Sequence, residues 1–289
     1  MKKEEIRYSN TTPEEYDKIV AKAVNYAIVS LPFTINRMKI SNPTERVLNT
    51  AKGKIAEGLF MHYCESIGLL VDFDTCETPF WQIDNRDFMY DGYEWDLKNN
   101  YIYCSNRCEQ EQIMNLPALI PNRKSKDQWS TRNEKKIPNS KGVKYLFSFM
   151  QGANLIHGKR DTYFIEILLS IRQKKILQKL YDKYKGLPTD TEPYSDIRFW
   201  NYFLKDNKTL YKLHKRPKLI LTGVADAENW NIFKDTGPYS TNNYIDYKTP
   251  YWYKKIGVKN SLMWGNGTIW GTITNKTTPV ELLKPFRIK

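Results

Sequence analysis

Cysteine is scarce in this chain: Cys64, Cys76, Cys104 and Cys108 are the only four in 289 residues. That excludes a disulfide scaffold at this length and points to a reducing, cytoplasmic setting. Histidine is scarcer still, and His62, His157 and His214 stand at no ligand or catalytic spacing. Long apolar runs are missing too. The most apolar stretches, residues 26–35, 145–150 and 164–171, fall short of the ~20 residues of a spanning helix, so no membrane is expected. The opening residues are charged and polar, without a secretory pattern. No repeat or low-complexity tract stands out. What is present is 40% hydrophobic and 27% charged residues, enough apolar side chains for a core and too many for a disordered chain.

Acidic residues are outnumbered. Thirty-two Asp and Glu against 45 Lys and Arg leave a charge of +13. Such an excess attracts polyanions, nucleic acid above all. A lysine-rich proteome would give the same balance, so charge permits a nucleic-acid partner without specifying one.

The pattern along the chain predicts one elaborated α/β domain over 1–289. Residues 1–53 read as N-terminal helices. Thr12, Pro13 and Glu15 supply a cap, a proline at the first helical position and a capping-box glutamate. A second helix starts at Asn42-Pro43, and Gly53 is expected to interrupt it. Residues 54–103 carry a strongly periodic helix, stopped at Gly68, and then a β-rich stretch. Residues 104–142 read as basic surface loops poor in core residues. Residues 143–289 supply further strands (143–150, 218–224, and 162–170 as strand or helix), a helix at 171–184, and a β-rich C-terminal part.

The informative segment runs from Arg86 to Lys98. Asp91-Gly92 between alternating aromatic flanks predicts a hairpin with a two-residue type I′ turn. That turn pairs Tyr90 with Tyr93, Met89 with Glu94, Phe88 with Trp95 and Asp87 with Asp96. Alternation then puts Phe88, Tyr90, Tyr93, Trp95 and Leu97 on an apolar face and Asp87, Met89, Glu94, Asp96 and Lys98 on the other. Like charges directly across a ladder repel. A divalent cation resolves the conflict, because Mg²⁺ takes one or two carboxylates together with waters and phosphate oxygens. Lys98 projects from the same side and could orient an attacking water or offset charge on a phosphate. The constellation suits metal-assisted phosphodiester hydrolysis. The alternative is a structural ribbon whose charges are simply solvated. Glu94, toward the turn, reads as an exposed partner of Lys98 or another cation.

Asp87, eight intervening residues and then Asp96-Leu97-Lys98 resemble the D…(D/E)-x-K signature of the PD-(D/E)XK nuclease superfamily, particularly its short-hairpin type II restriction endonucleases. Arg86 stands where that family has proline. The resemblance implies a mixed central sheet of the restriction-endonuclease-like type flanked by helices, with basic loop insertions. It implies metal binding by Asp87 and Asp96, with Mg²⁺ as cofactor, and a water-directing role for Lys98. It also implies a further glutamate from the preceding helix. Glu57 fits that place at the edge of an apolar arc, although a surface glutamate would look the same.

Double-stranded DNA would then be the substrate and a homodimer the expected assembly, since two strands are cut. A cognate methyltransferase would protect the host in a restriction system. A phage, repair or junction-resolving nuclease, or a non-catalytic nucleic-acid-binding protein, are the alternatives. Arg123, Lys124, Lys126, Arg132, Lys135, Lys136 and Lys141 would contact phosphates. Cys104-x-x-x-Cys108 invites a zinc or iron–sulfur reading, but no C-x-x-C pair occurs, and the sequence predicts buried free thiols.

Overall fold

The structure, a computed structural model, describes residues 1–34, 43–79, 86–103, 113–114, 116–122, 135–152, 164–168, 171, 175, 178–179, 182–183, 209–214, 218–236 and 274–288. Helix α1 (Pro13–Thr34) opens on the expected box: the Thr12 N–H donates to Glu15 Oε2 (2.7 Å) and the Glu15 N–H to Thr12 Oγ1 (3.3 Å). Helix α2 spans Pro43–Ser66 and does not stop at Gly53. Val47, Ala51, Ile55 and Leu59 recur at helical spacing and are buried, so one seam runs straight past that glycine. A mid-helix glycine costs about 1 kcal/mol. Burying large aliphatic side chains is worth about 1.5–3 kcal/mol each, and the helix continues. Gly58 matters differently. A Cβ there would lie 2.6 Å from Ile19 Cγ2, so the close approach of α1 and α2 depends on its having none.

Eleven strands are described: β1 (Arg7–Ser9), β2 (Phe88–Tyr90), β3 (Tyr93–Tyr103), β4 (Pro117–Asn122), β5 (Val143–Gly152), β6 (Phe164–Leu168), β7 (Thr209–His214), β8 (Lys218–Ala225), β9 (Lys234–Thr236), β10 (Thr274–Pro279) and β11 (Lys284–Pro285). The main sheet has the order β1-β8-β5-β3-β2, with β11 also on β8. β3 and β5 run parallel while the other pairs are antiparallel, so the sheet is mixed, as expected. The segment 164–168 is a strand, paired with β7, and the described residues of 171–184 are helical.

Alternation along the strands gives the sheet two covered faces. One face (Phe88, Trp95, Leu97, Leu146, Met150, Leu219, Leu221) packs on α1 and α2. The other (Val143, Tyr145, Phe147, Ala225) meets Ala118 and Ile120 of β4 together with Phe233 and Leu283. The stretch 104–142 is therefore not only surface loop. Its apolar run Pro117-Ala-Leu-Ile, just after the buried Leu116, opens β4, which pairs with β10 in a second, three-stranded sheet. Prolines sit at the strand ends, where a missing donor does least harm. Among the described residues no helix is long and apolar enough to cross a membrane.

Candidate functional site

The Asp91-Gly92 turn forms as the sequence requires, with φ of 53° and 77°, the left-handed pair of a type I′ turn. The register is Phe88↔Trp95, Met89↔Glu94 and Tyr90↔Tyr93. Phe88 and Trp95 stack at 5.7 Å between ring centres, and Phe60 of α2 lies 4.9 Å from Phe88. That aromatic layer anchors the hairpin and leaves Glu94, Asp96 and Lys98 on the opposite face.

One step beyond β2 the ladder departs from the expected register. The Asp87 N–H donates to the Trp95 carbonyl (2.8 Å), although Trp95 is already the register partner of Phe88. Two residues thus face one, the arrangement of a β-bulge. In a regular ladder the Leu97 N–H would reach the Arg86 carbonyl. Here it donates to Asp87 Oδ2 at 2.5 Å. The Asp87 carboxylate is turned onto the Asp96–Leu97 peptide, which brings that oxygen within about 5 Å of the Asp96 Cα. Lys98 Nζ donates to Asp96 Oδ2 at 2.5 Å and lies 5.4 Å from the centre of the Tyr145 ring. Tyr145 is the register partner of Asp96 on β5, so the amine sits between a carboxylate and an aromatic face. The Asp96 and Lys98 side chains are 11% and 13% exposed.

Glu94 is placed differently from the expectation. It is fully buried, and Arg86, not Lys98, is its ionic partner, with Nε 3.2 Å from Oε2. Its oxygens also accept the backbone N–H groups of Lys136 (2.9 and 3.1 Å) and Ile137 (3.0 Å). The reason is packing: the segment from 135 to 142 folds back over this end of β3, and its amides need acceptors. Sequence reasoning missed both Arg86 and Glu94 as a pair.

Glu57 projects from α2 and is bonded to Lys54 Nζ at 2.6 Å, an i,i+3 pair, while Lys54 lies 4.8 Å over the Tyr26 ring. Glu57 and Asp87 line one cleft of about 610 Å³ between α1, α2 and the segment around Phe73–Thr78. Six carboxylates line it (Glu15, Glu57, Glu65, Asp74, Glu77, Asp87) against Lys18, Lys22, Lys54 and Arg86, so its walls lean acidic. His62 also lines it, 3.5 Å from Glu15 Oε2. Bonds from the Thr12 backbone and hydroxyl hold the Glu15 carboxyl below its usual range. Asp96 and Lys98 are not among the walls. The Asp87 carboxylate thus reaches the backbone beside Asp96, while the Asp96 carboxylate is bonded to Lys98, and Glu57 shares a cleft with Asp87. Among the described residues no three Asp, Glu, His or Cys side chains gather closely enough to form a metal-binding group.

Lys135, Lys136 and Lys141 are exposed, whereas Arg123, Lys124, Lys126 and Arg132 lie outside the described residues. Cys64 and Cys76 are buried free thiols, as expected, and burial pushes the Cys64 thiol up to about 12. Cys104 and Cys108 lie outside the described residues. Compared with protein-family models, curated proteins and solved structures, the chain matches none.

Proposed function

We propose that this protein is a Mg²⁺-dependent endodeoxyribonuclease with a PD-(D/E)XK-like core, acting on double-stranded DNA as a type II restriction endonuclease. One observation carries the reading: the Asp87 carboxylate lies on the Asp96–Leu97 peptide, with the Lys98 amine 2.5 Å from Asp96. Two hard carboxylate donors beside an amine fit Mg²⁺, whose remaining positions go to water and phosphate oxygens. Asp87 and Asp96 would hold the ion, and Glu57 would assist from across the cleft it shares with Asp87. When bound, Mg²⁺ supplies positive charge to the phosphoryl oxygens. An acidic cleft repels a phosphodiester, so DNA approach there calls for a counter-cation.

The chain's own residues do the rest. Lys98, released from Asp96, orients the attacking water and offsets charge developing on the phosphate. Tyr145 beneath the amine limits where it can swing. The bulge at Asp87 ties its carboxylate to the Leu97 amide, so that it does not stand as a free charge across from Asp96. A homodimer would place one such site on each strand, and a separate methyltransferase would protect the host.

A second reading has an observation of its own. Asp96 and Lys98 neutralise each other, are about a tenth exposed, and do not line the cleft. A nucleic-acid-binding protein without catalysis would need nothing more of them. The test is incubation of purified protein with mixed plasmid and genomic DNA plus Mg²⁺. Discrete fragments support sequence-specific restriction, a smear supports a repair or phage nuclease, and intact DNA supports the binding protein. Asp96→Ala and Lys98→Ala should each lower cleavage by about 10²-fold or more. Wild-type rates in either would overturn these roles.

A further inference from the structure

Glu94 is a fully buried carboxylate that the proposed chemistry does not use. Its bonds point to a purpose. It ties three parts of the chain together: Arg86, immediately before Asp87; β3, two residues before Asp96; and the backbone of Lys136 and Ile137. The same segment is fixed a second time at the turn. The Lys141 N–H donates to the Gly92 carbonyl (2.8 Å), and Lys141 Nζ donates to the Asp91 carbonyl (2.9 Å). The residues between these anchors therefore ride on the hairpin itself.

Lys136, whose amide is one of these anchors, and Lys135, its neighbour in the chain, are exposed cations. Two residues along a strand span about 7 Å. The Lys136 amide, bonded to Glu94, is thus anchored about one such step from Asp96, on the scale of two nucleotides of a DNA strand at about 3.4 Å each. A loop that must be ordered before binding would spend part of its binding free energy on that ordering. A segment already bonded to the hairpin does not.

We propose that Glu94 is a positioning residue that holds Lys135 and Lys136 as a preorganised contact for duplex DNA phosphates beside the Asp87–Asp96–Lys98 site. The proposal rests on the nuclease reading for the nature of that site, yet its test separates from it.

Binding of a short non-specific duplex, without Mg²⁺, is measured against salt for the full chain. Lys135→Ala/Lys136→Ala should flatten the slope of log K against log salt by about 2, roughly 1 per lysine. Glu94→Gln raises the formal charge from +13 to +14 (13 + 1), so charge alone requires tighter binding. Positioning requires the reverse: weaker binding, a slope flatter by about 1 or more, and hydrogen exchange at the 136 and 137 amides faster by at least ~10-fold. Glu94→Asp keeps the charge and shortens the reach, so it decides the matter if the Gln variant does not fold. A flatter slope in Glu94→Asp supports the proposal. Tighter or unchanged binding in a folded Glu94 variant overturns it, as does an unaltered slope in the double lysine variant. Wild-type protein that binds but never cuts defeats the nuclease reading alone, whereas normal cleavage with unaltered slopes defeats only this inference.

Discussion

Glu94 and Asp96 are acids two positions apart on the same face of β3, and the fold treats them in opposite ways. Glu94 has no exposure and is saturated by two backbone amides and a guanidinium. Asp96 keeps a little exposure and is bonded to an amine on a flexible stem. Rigid amides cannot follow a ligand, whereas an ammonium can swing aside. The contrast teaches that a charged residue on a strand face is not itself a site. A carboxylate becomes available for chemistry when its partner is displaceable.

The largest expected effect falls on the saturated acid. Glu94→Ala removes the buried partner of Arg86 and the acceptor of two backbone amides, and should cost about 3–5 kcal/mol in urea unfolding. Asp96→Asn should cost about 1.5–3 kcal/mol, the range of one charged hydrogen bond, while on the proposed nuclease reading lowering DNA cleavage by about 10²-fold or more. Equal stability losses in the two variants would erase the distinction. A smaller effect concerns the turn that holds both acids in register. Gly92→Ala puts a side chain at φ +77°, with its Cβ 2.9 Å from Lys141 Cε, and should lose about 1–3 kcal/mol by thermal unfolding.

The smallest effect near neutral pH, because it is confined to alkaline conditions, is a pH limb. Cys64 is buried like Glu94 but neutral, and its thiol rises from an ordinary value of 9.0 to about 12 because burial disfavours the thiolate. Its contribution to stability is complete below pH 9 and is lost as pH climbs toward about 12, since only the unfolded chain ionises there. Tyr63, raised by the same cause, adds to that limb. Cys64→Ala should shallow the alkaline decline without abolishing it, as denaturant midpoints across that range would reveal.

Much of this arrangement could be read from local signals. Asp91-Gly92 and the alternation around it are contained in a few adjacent residues, and they fixed the turn, the register and the aromatic face. The Thr12–Glu15 box is equally local. What escaped was non-local or came from the backbone. The amides that saturate Glu94 lie 42 and 43 residues further along the chain, and a backbone N–H carries no residue signature. The bulge at Asp87 replaces a carbonyl acceptor by a side chain, a substitution that register arithmetic cannot foresee. β4 was hidden because its apolar run lies inside a stretch dominated by Lys, Arg and Asn. Gly53 has a low helix propensity of its own, and the helix continues through it because the seam on either side is buried.

The hydrogen bond from the Leu97 amide to Asp87 has a practical consequence. Any ligand that draws that carboxylate away strips one strand amide of its acceptor, whereas a ligand that settles against the other oxygen leaves the bond in place. The ¹⁵N–¹H resonance of Leu97 is therefore a single-atom gauge of what happens at Asp87, readable during a titration with a metal ion alone.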